Sequence, residues 1–319
     1  MKNLRINDLR PRPRTSNPLA NLGIRIVLAV SPFAACAAPM TEGPKSSISA
    51  KAPKQEEKPD PEIDPLIKDL QSPDKDTRFG GAWELMKKTE QGKKGERIKK
   101  AIPALVRTLS DEDNIVASNA ARAIANFAVK EDVSQFVKDI EAALEKCPEA
   151  AWPLIWHYAK NGKWTDVERL VRHPNREARG WGVRELGDVA GEGIDISPIL
   201  DILDSLLHDH SVEKTPEGDL RKYDKLNIGE ALVGALKNEK TRDNAFGILI
   251  NALQQGDEFT RFNAAFALKE AVKDGVVIPK MKEELTRAIE AESKRDVDDS
   301  SGDAIQVLDK ALRMLERRE

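Results

Sequence analysis

The chain is poor in the residue types that most often carry chemistry or covalent cross-links. Of its 319 residues two are cysteine, Cys36 and Cys147, and 5% are aromatic. Two cysteines so far apart exclude a disulfide framework. β-Branched alternating runs are nearly absent, which argues against a sandwich or a barrel. No nucleophile–base–orienter set, phosphate loop or paired-carboxylate motif is present. The apolar run at residues 26–35, IVLAVSPFAA, has about half the length that crossing a bilayer requires.

What remains is a well-solvated helical composition, 40% apolar and 33% charged. The formal charge of −3 is unevenly spread. Lys2, Arg5, Arg10, Arg12, Arg14 and Arg25 against Asp8 give the first 35 residues +5, which leaves −8 on the rest. A body that acidic does not attract nucleic acid through its overall field.

The basic stretch ending at Arg25, the short apolar run and the small residues after it have the order of an export signal. Phe33 to Cys36, FAAC, resembles the lipobox of bacterial lipoproteins, with Phe33 standing where Leu is usual. The resemblance implies cleavage before Cys36 and lipidation of its thiol, hence a membrane-anchored protein facing the periplasm or cell surface. An ordinary signal, cut after a small-x-small site such as Ala35-Cys36-Ala37, leaves a secreted or periplasmic soluble protein instead. The expected layout is a signal peptide at 1–35, a disordered linker at 36–62 and a folded body at 63–319. The linker is Pro, Lys, Ser and Glu with hardly a large apolar side chain, too little to offset its ordering entropy.

Within the body one pattern recurs. In AIPALVRTLSDEDNIVASNAARAIANFA, from Ala101, the residues Ile102, Leu105, Val106 and Leu109 share one helical face. A short acidic turn follows, with Asp113 placed to cap a second helix that presents Val116, Ala120, Ile124 and Phe127. The same order returns from Leu70, Val171 and Leu253. The cap position holds Asp74, Asp113, Asn175 and Asp257; a small position holds Gly81, Ala120, Gly182 and Ala264; the apolar position after it holds Leu85, Ile124, Leu186 and Leu268. Small residues let two helices approach, and larger ones fill the space beside them.

These units resemble the HEAT-repeat family: a Pro-x-Leu first helix, an Asp-rich turn, then Val-Arg and Ala-Ala-x-x-Leu. The resemblance implies an all-α solenoid of about seven helical hairpins. The family arginine stands at Arg78, Arg179 and Arg261 but is replaced by Ala117. It also implies that these arginines pair with turn residues in a structural ladder, Asp74–Arg78, Asn175–Arg179 and Asp257–Arg261. From 78 through 117 and 179 to 261 the spacings are 39, 62 and 82 residues, so a shortened hairpin sits between Ala117 and Arg179. The expected pairs are 64–71/75–88, 99–110/114–128, 133–146/150–160, 164–172/176–190, 197–208/226–238, 242–255/258–274 and 279–292/302–317.

Trp152, Trp156, Trp164 and Trp181 crowd into thirty residues with Tyr158. Such a cluster reads either as a binding patch or as bulky filling for short, diverged helices. Residues 209–225 interrupt the array with a long loop, in which Tyr223 is a further partner-binding candidate. His208-Asp209-His210 lacks a third ligand and reads as a helix C-terminus favoured by the macrodipole. The basic run Lys87 to Lys100 reads as a solvated inter-repeat loop, and the acidic run Asp296 to Asp303 as the cap of a last helix.

No catalytic residue, cofactor or metal is implied. The function expected is a non-enzymatic interaction scaffold for a protein partner, held at a membrane through Cys36. The alternatives are an enzyme or enzyme accessory similar to the HEAT-like bilin lyases or DNA glycosylases, and an envelope-polymer binder.

Overall fold

In the computed structural model the chain divides into two units, of which the second, Glu57–Glu319, is the compact body described below. The structure describes residues 59–91, 95–209, 214–215, 218–219, 221–295 and 301–318, all in the second unit. Cys36, the export signal, His210 and nearly all of the expected linker lie outside the described residues.

The body is a helical repeat array. Its helices are α1 Asp64–Asp69, α2 Lys75–Glu90, α3 Gly95–Lys99, α4 Ile102–Thr108, α5 Asn114–Ala128, α6 Val137–Ala143, α7 Ala151–Lys160 and α8 Trp164–Val171. There follow α9 Arg176–Gly191, α10 Ser197–Leu207, α11 Arg221–Lys237, α12 Arg242–Gln255, α13 Glu258–Lys273, α14 Met281–Glu292 and α15 Ser301–Glu316. They pair as seven hairpins, with α3 as an extra turn. The second helices form a continuous row, α2 on α5, α5 on α7, α7 on α9, α9 on α11, α11 on α13 and α13 on α15.

Local sequence explains the start of four second helices, α2, α5, α9 and α13. Asp74 accepts from the Thr77 amide, Asp113 from Ile115 and Val116, Asn175 from Glu177 and Ala178, and Asp257 from Thr260. Each cap satisfies amides that the helix itself leaves open, worth about 1 kcal/mol. Proline in the first turn of α1, α4 and α10 occupies positions where a missing N–H is harmless. Leu85, Ile124, Leu186 and Leu268 are all fully buried. Each contributes roughly 1.5–3 kcal/mol by leaving water.

Three sequence expectations need correction. The basic run from Lys87 is not one loop, because α2 continues to Glu90 and α3 occupies Gly95–Lys99. The interruption after α10 is shorter than expected. It carries a small antiparallel pair, β1 Lys214–Thr215 on β2 Gly218–Asp219, and α11 begins at Arg221, so Tyr223 lies in a helix.

The third correction concerns Arg78, which reaches past its own turn acid to the next hairpin. It donates to Asp111 through Nε at 2.7 Å and Nη2 at 3.1 Å, and to Glu112 at 3.0 Å. Asp74 is occupied instead with capping, through the Thr77 amide and hydroxyl. Arg78 also donates to the carbonyls of Ser72 and Pro73, Arg179 to His173 O and Arg261 to Gly256 O. Arg78 thus ties its own turn's backbone to the following hairpin, and Arg261 Nε likewise stands 2.9 Å from buried Glu292 of the next.

Helix α9 meets α11 with almost nothing between them. A Cβ built on Gly234 would fall 2.0 Å from the carbonyl oxygen of Gly187, and one on Gly187 would fall 2.8 Å from that of Glu230. Only glycine permits so close a crossing of backbones.

Candidate functional site

The row of second helices gathers part of the aromatic cluster. Trp152 and Trp156 are four residues apart on α7 and so share a face, as do Trp181 and Glu185 on α9. Packing α7 against α9 brings the pairs together. The Trp152 and Trp181 rings meet edge to face at 5.1 Å and 77°. The Trp156 indole N–H donates to Glu185 Oε1 at 2.6 Å. Trp156 is buried, whereas Trp152, Trp181 and Glu185 are half-buried, so the tryptophan pair borders the surface while the Glu185 carboxyl is turned inward to Trp156.

Two arginines frame the pair. Arg122 of α5 lies 5.8 Å from the centre of the Trp152 ring, and Arg184 of α9 lies 5.6 Å from that of Trp181. Each contact is worth about 0.5–1 kcal/mol at an exposed site. Arg184 is also tied to Glu230 of α11 at 3.0 Å. Burial, and next the charge of Asp188, push the Glu185 carboxyl up to about 7; the Trp156 hydrogen bond opposes the shift. Near neutrality this group therefore exchanges a proton that an exposed glutamate would already have lost.

The motif of a cation over an aromatic ring continues along other second helices. On α2, Phe79 stacks on Trp83 at 6.3 Å and Lys87 lies 5.8 Å over the Trp83 ring. On α13, Lys269 lies 4.0 Å over Phe266. The acids Glu84, Glu230 and Glu270 pair with Lys87, Arg184 and Lys269, so these cations are largely compensated.

The remaining aromatic candidates lie elsewhere. Tyr158 is buried and donates through its hydroxyl to Glu141 at 2.6 Å, an acid that also holds Arg169. Trp164 opens α8 and packs half-buried against the core. Tyr223 is in α11, and its side chain lies outside the described residues. Glu185, Arg122 and Arg184 were missed from sequence. The one available signal was Glu185 standing one helical turn after Trp181.

Other candidates are structural in their geometry. His208 caps α10 with Nδ1 3.0 Å from Asp204 O, and no group of three potential metal ligands occurs among the described residues. Cys147 sits buried in the α6–α7 turn, its thiol pushed up to about 12 by burial and then by the charge of Glu149. That thiol is not a nucleophile at neutral pH. No helix among the described residues is long and apolar enough to cross a membrane.

No family model matches the chain, and no curated protein matches it. Among solved structures it is similar to a designed armadillo repeat protein in complex with the peptide (KR)4, at 18% identity over 77% of this chain and 98% of that one, with a TM-score of 0.36. A second designed armadillo repeat protein gives 19% identity, 78% and 98% coverage, and a TM-score of 0.34. The complex of CpcE and CpcF of phycocyanin lyase from Nostoc sp. PCC7120 gives 19% identity, 83% and 98% coverage, and a TM-score of 0.38. Likenesses this slight add nothing to the geometry described above.

Proposed function

We propose that the protein is a non-enzymatic interaction scaffold that grips a protein partner on the face of its second helices, centred on Trp152 and Trp181. The observation that carries this reading is the half-buried, edge-to-face tryptophan pair framed by Arg122 and Arg184. Tryptophan and arginine supply large, rigid contact area and dominate the energetics of protein interfaces. The compensated charges along the face favour a protein surface over a polyanion. From the sequence, the body is carried to a membrane by lipidated Cys36.

Chemical cross-linking in membrane fractions tests the grip. The intact protein should form a discrete adduct that Trp181→Ala reduces at least about tenfold, as expected for an interface anchor. A protein that stays monodisperse and partnerless at every salt concentration would sink the reading. Mass spectrometry of the mature N-terminus tests the anchor. Acylated Cys36 supports it, and an unmodified start at Ala37 or Ala38 replaces it with a soluble exported protein.

The Glu185 carboxyl supports a second reading, chemistry similar to that of the HEAT-like DNA glycosylases, because a group near 7 can exchange protons at neutral pH. The acidic body opposes DNA binding. Salt-dependent binding of duplex DNA by the mature protein would revive this alternative.

A further inference from the structure

The turns between first and second helices hold a cavity of about 470 Å³, and Ala117 lines it. Asn114 of α5 and Asn175, which caps α9, both line it, and the α6–α7 turn contributes Glu145, Cys147 and Glu149. The opening has a cause in the sequence. The third hairpin is short, with α6 only 7 residues and α7 only 10, so the turns of its neighbours stand around it.

The other hairpins show what fills this place. Arg78 occupies the position equivalent to Ala117, donates to the carbonyls of its own turn and crosses to Asp111 and Glu112 of the next. Arg261 does the same with Gly256 O and buried Glu292. At Ala117 the following turn still supplies acids, Glu145 and half-buried Glu149, but no guanidinium of α5 lines the cavity. The cavity counts three carboxylates, with Glu177, against the cations Lys146 and Arg176. The Glu149 carboxylate stands against the buried thiol, with Oε2 3.8 Å from Cys147 Sγ. The amides at the starts of α5 and α9 are already taken by Asp113 and Asn175, which leaves little to hold an anion.

We propose that this cavity is a socket for the arginine side chain of a partner protein, which supplies in trans the guanidinium that Ala117 omits. A planar, permanently charged fork can bridge more than one carboxylate, which an ammonium does less well. Ile115, next in the chain to Asn114, is 61% exposed, an apolar contact at hand for the residue flanking the arginine. This socket is a feature separate from the tryptophan face, and either can fail without the other.

The test is an NMR titration of the mature protein with Nα-acetyl-arginine amide, with the neutral citrulline analogue and inorganic phosphate as parallel probes. The expected result is saturable shifts at the amides of Ala117, Cys147, Glu149 and Asn175 with the arginine probe alone. Glu149→Gln should weaken it at least about tenfold. Ala117→Arg should abolish it while raising Tm, since the guanidinium is then built in; if that variant does not fold, Glu149→Gln decides. Trp181→Ala should leave the titration unchanged. Equal response to citrulline, preference for phosphate, or no saturation with arginine would overturn the proposal.

Discussion

Helix α9 has two unlike sides. Towards α11 it offers Gly187, and the backbones touch where Gly234 crosses it. Towards α7 it offers Trp181 and Glu185, and indole rings fill the junction. A junction made of backbone has one geometry and leaves no surface to spare. A junction filled by large, half-buried rings leaves edges and polar groups at the solvent boundary, where a partner can displace water from them. One helix therefore serves as a fixed mount on one side and a contact surface on the other.

Adding a single methyl group to the backbone junction is the most direct way to break this contrast. Gly234→Ala places a carbon where the Gly187 oxygen already is, and the helices must separate. Overpacking of this kind should cost about 3 kcal/mol or more, read as a lowered denaturant midpoint. A loss within experimental error would mean that the junction is as forgiving as the aromatic one.

On the aromatic side the expected effect is smaller. Trp181→Ala removes a half-buried ring that keeps part of its edge in water, so about 1–2 kcal/mol of stability should go, below the range for a fully buried tryptophan. If thermal unfolding shows it costing as much as Gly234→Ala, the ring is core and the surface role falls away.

The remaining effect is a pH dependence, confined to one end of the pH range. Folding holds the Glu185 proton up to about 7, whereas the unfolded chain releases it near the ordinary value of 4.5. The folded state therefore binds the extra proton between those values, and stability falls as pH rises through that window. Glu185→Gln keeps an acceptor for Trp156 and removes the titration. It should be the more stable form above pH 7 by about 1–2 kcal/mol, with the difference vanishing in acid. Denaturation curves at both ends of the window check this, and parallel slopes for the two proteins would contradict it.

The hairpins were legible in the sequence because each rule behind them is local. Asp113 caps α5 through amides two and three residues away, and Ile124 is buried because helical period places it beside Val116 and Ala120. What crosses between hairpins was not legible. Asp74 looked like the partner of Arg78, one turn away, yet the arginine spans to Asp111 because α2 packs on α5. The spacing of Trp181 and Glu185 was visible; the Trp156 indole that binds the carboxyl comes from a different helix. Residues that serve local periodicity announce themselves, and residues that serve packing between units do not.

The glycine crossing has a mechanical consequence. Side chains in an ordinary helix junction can change rotamer and absorb a small displacement. Between Gly187 and Gly234 no side chain stands to rearrange, so a displacement of α9 at this crossing must be met by the backbone of α11 itself.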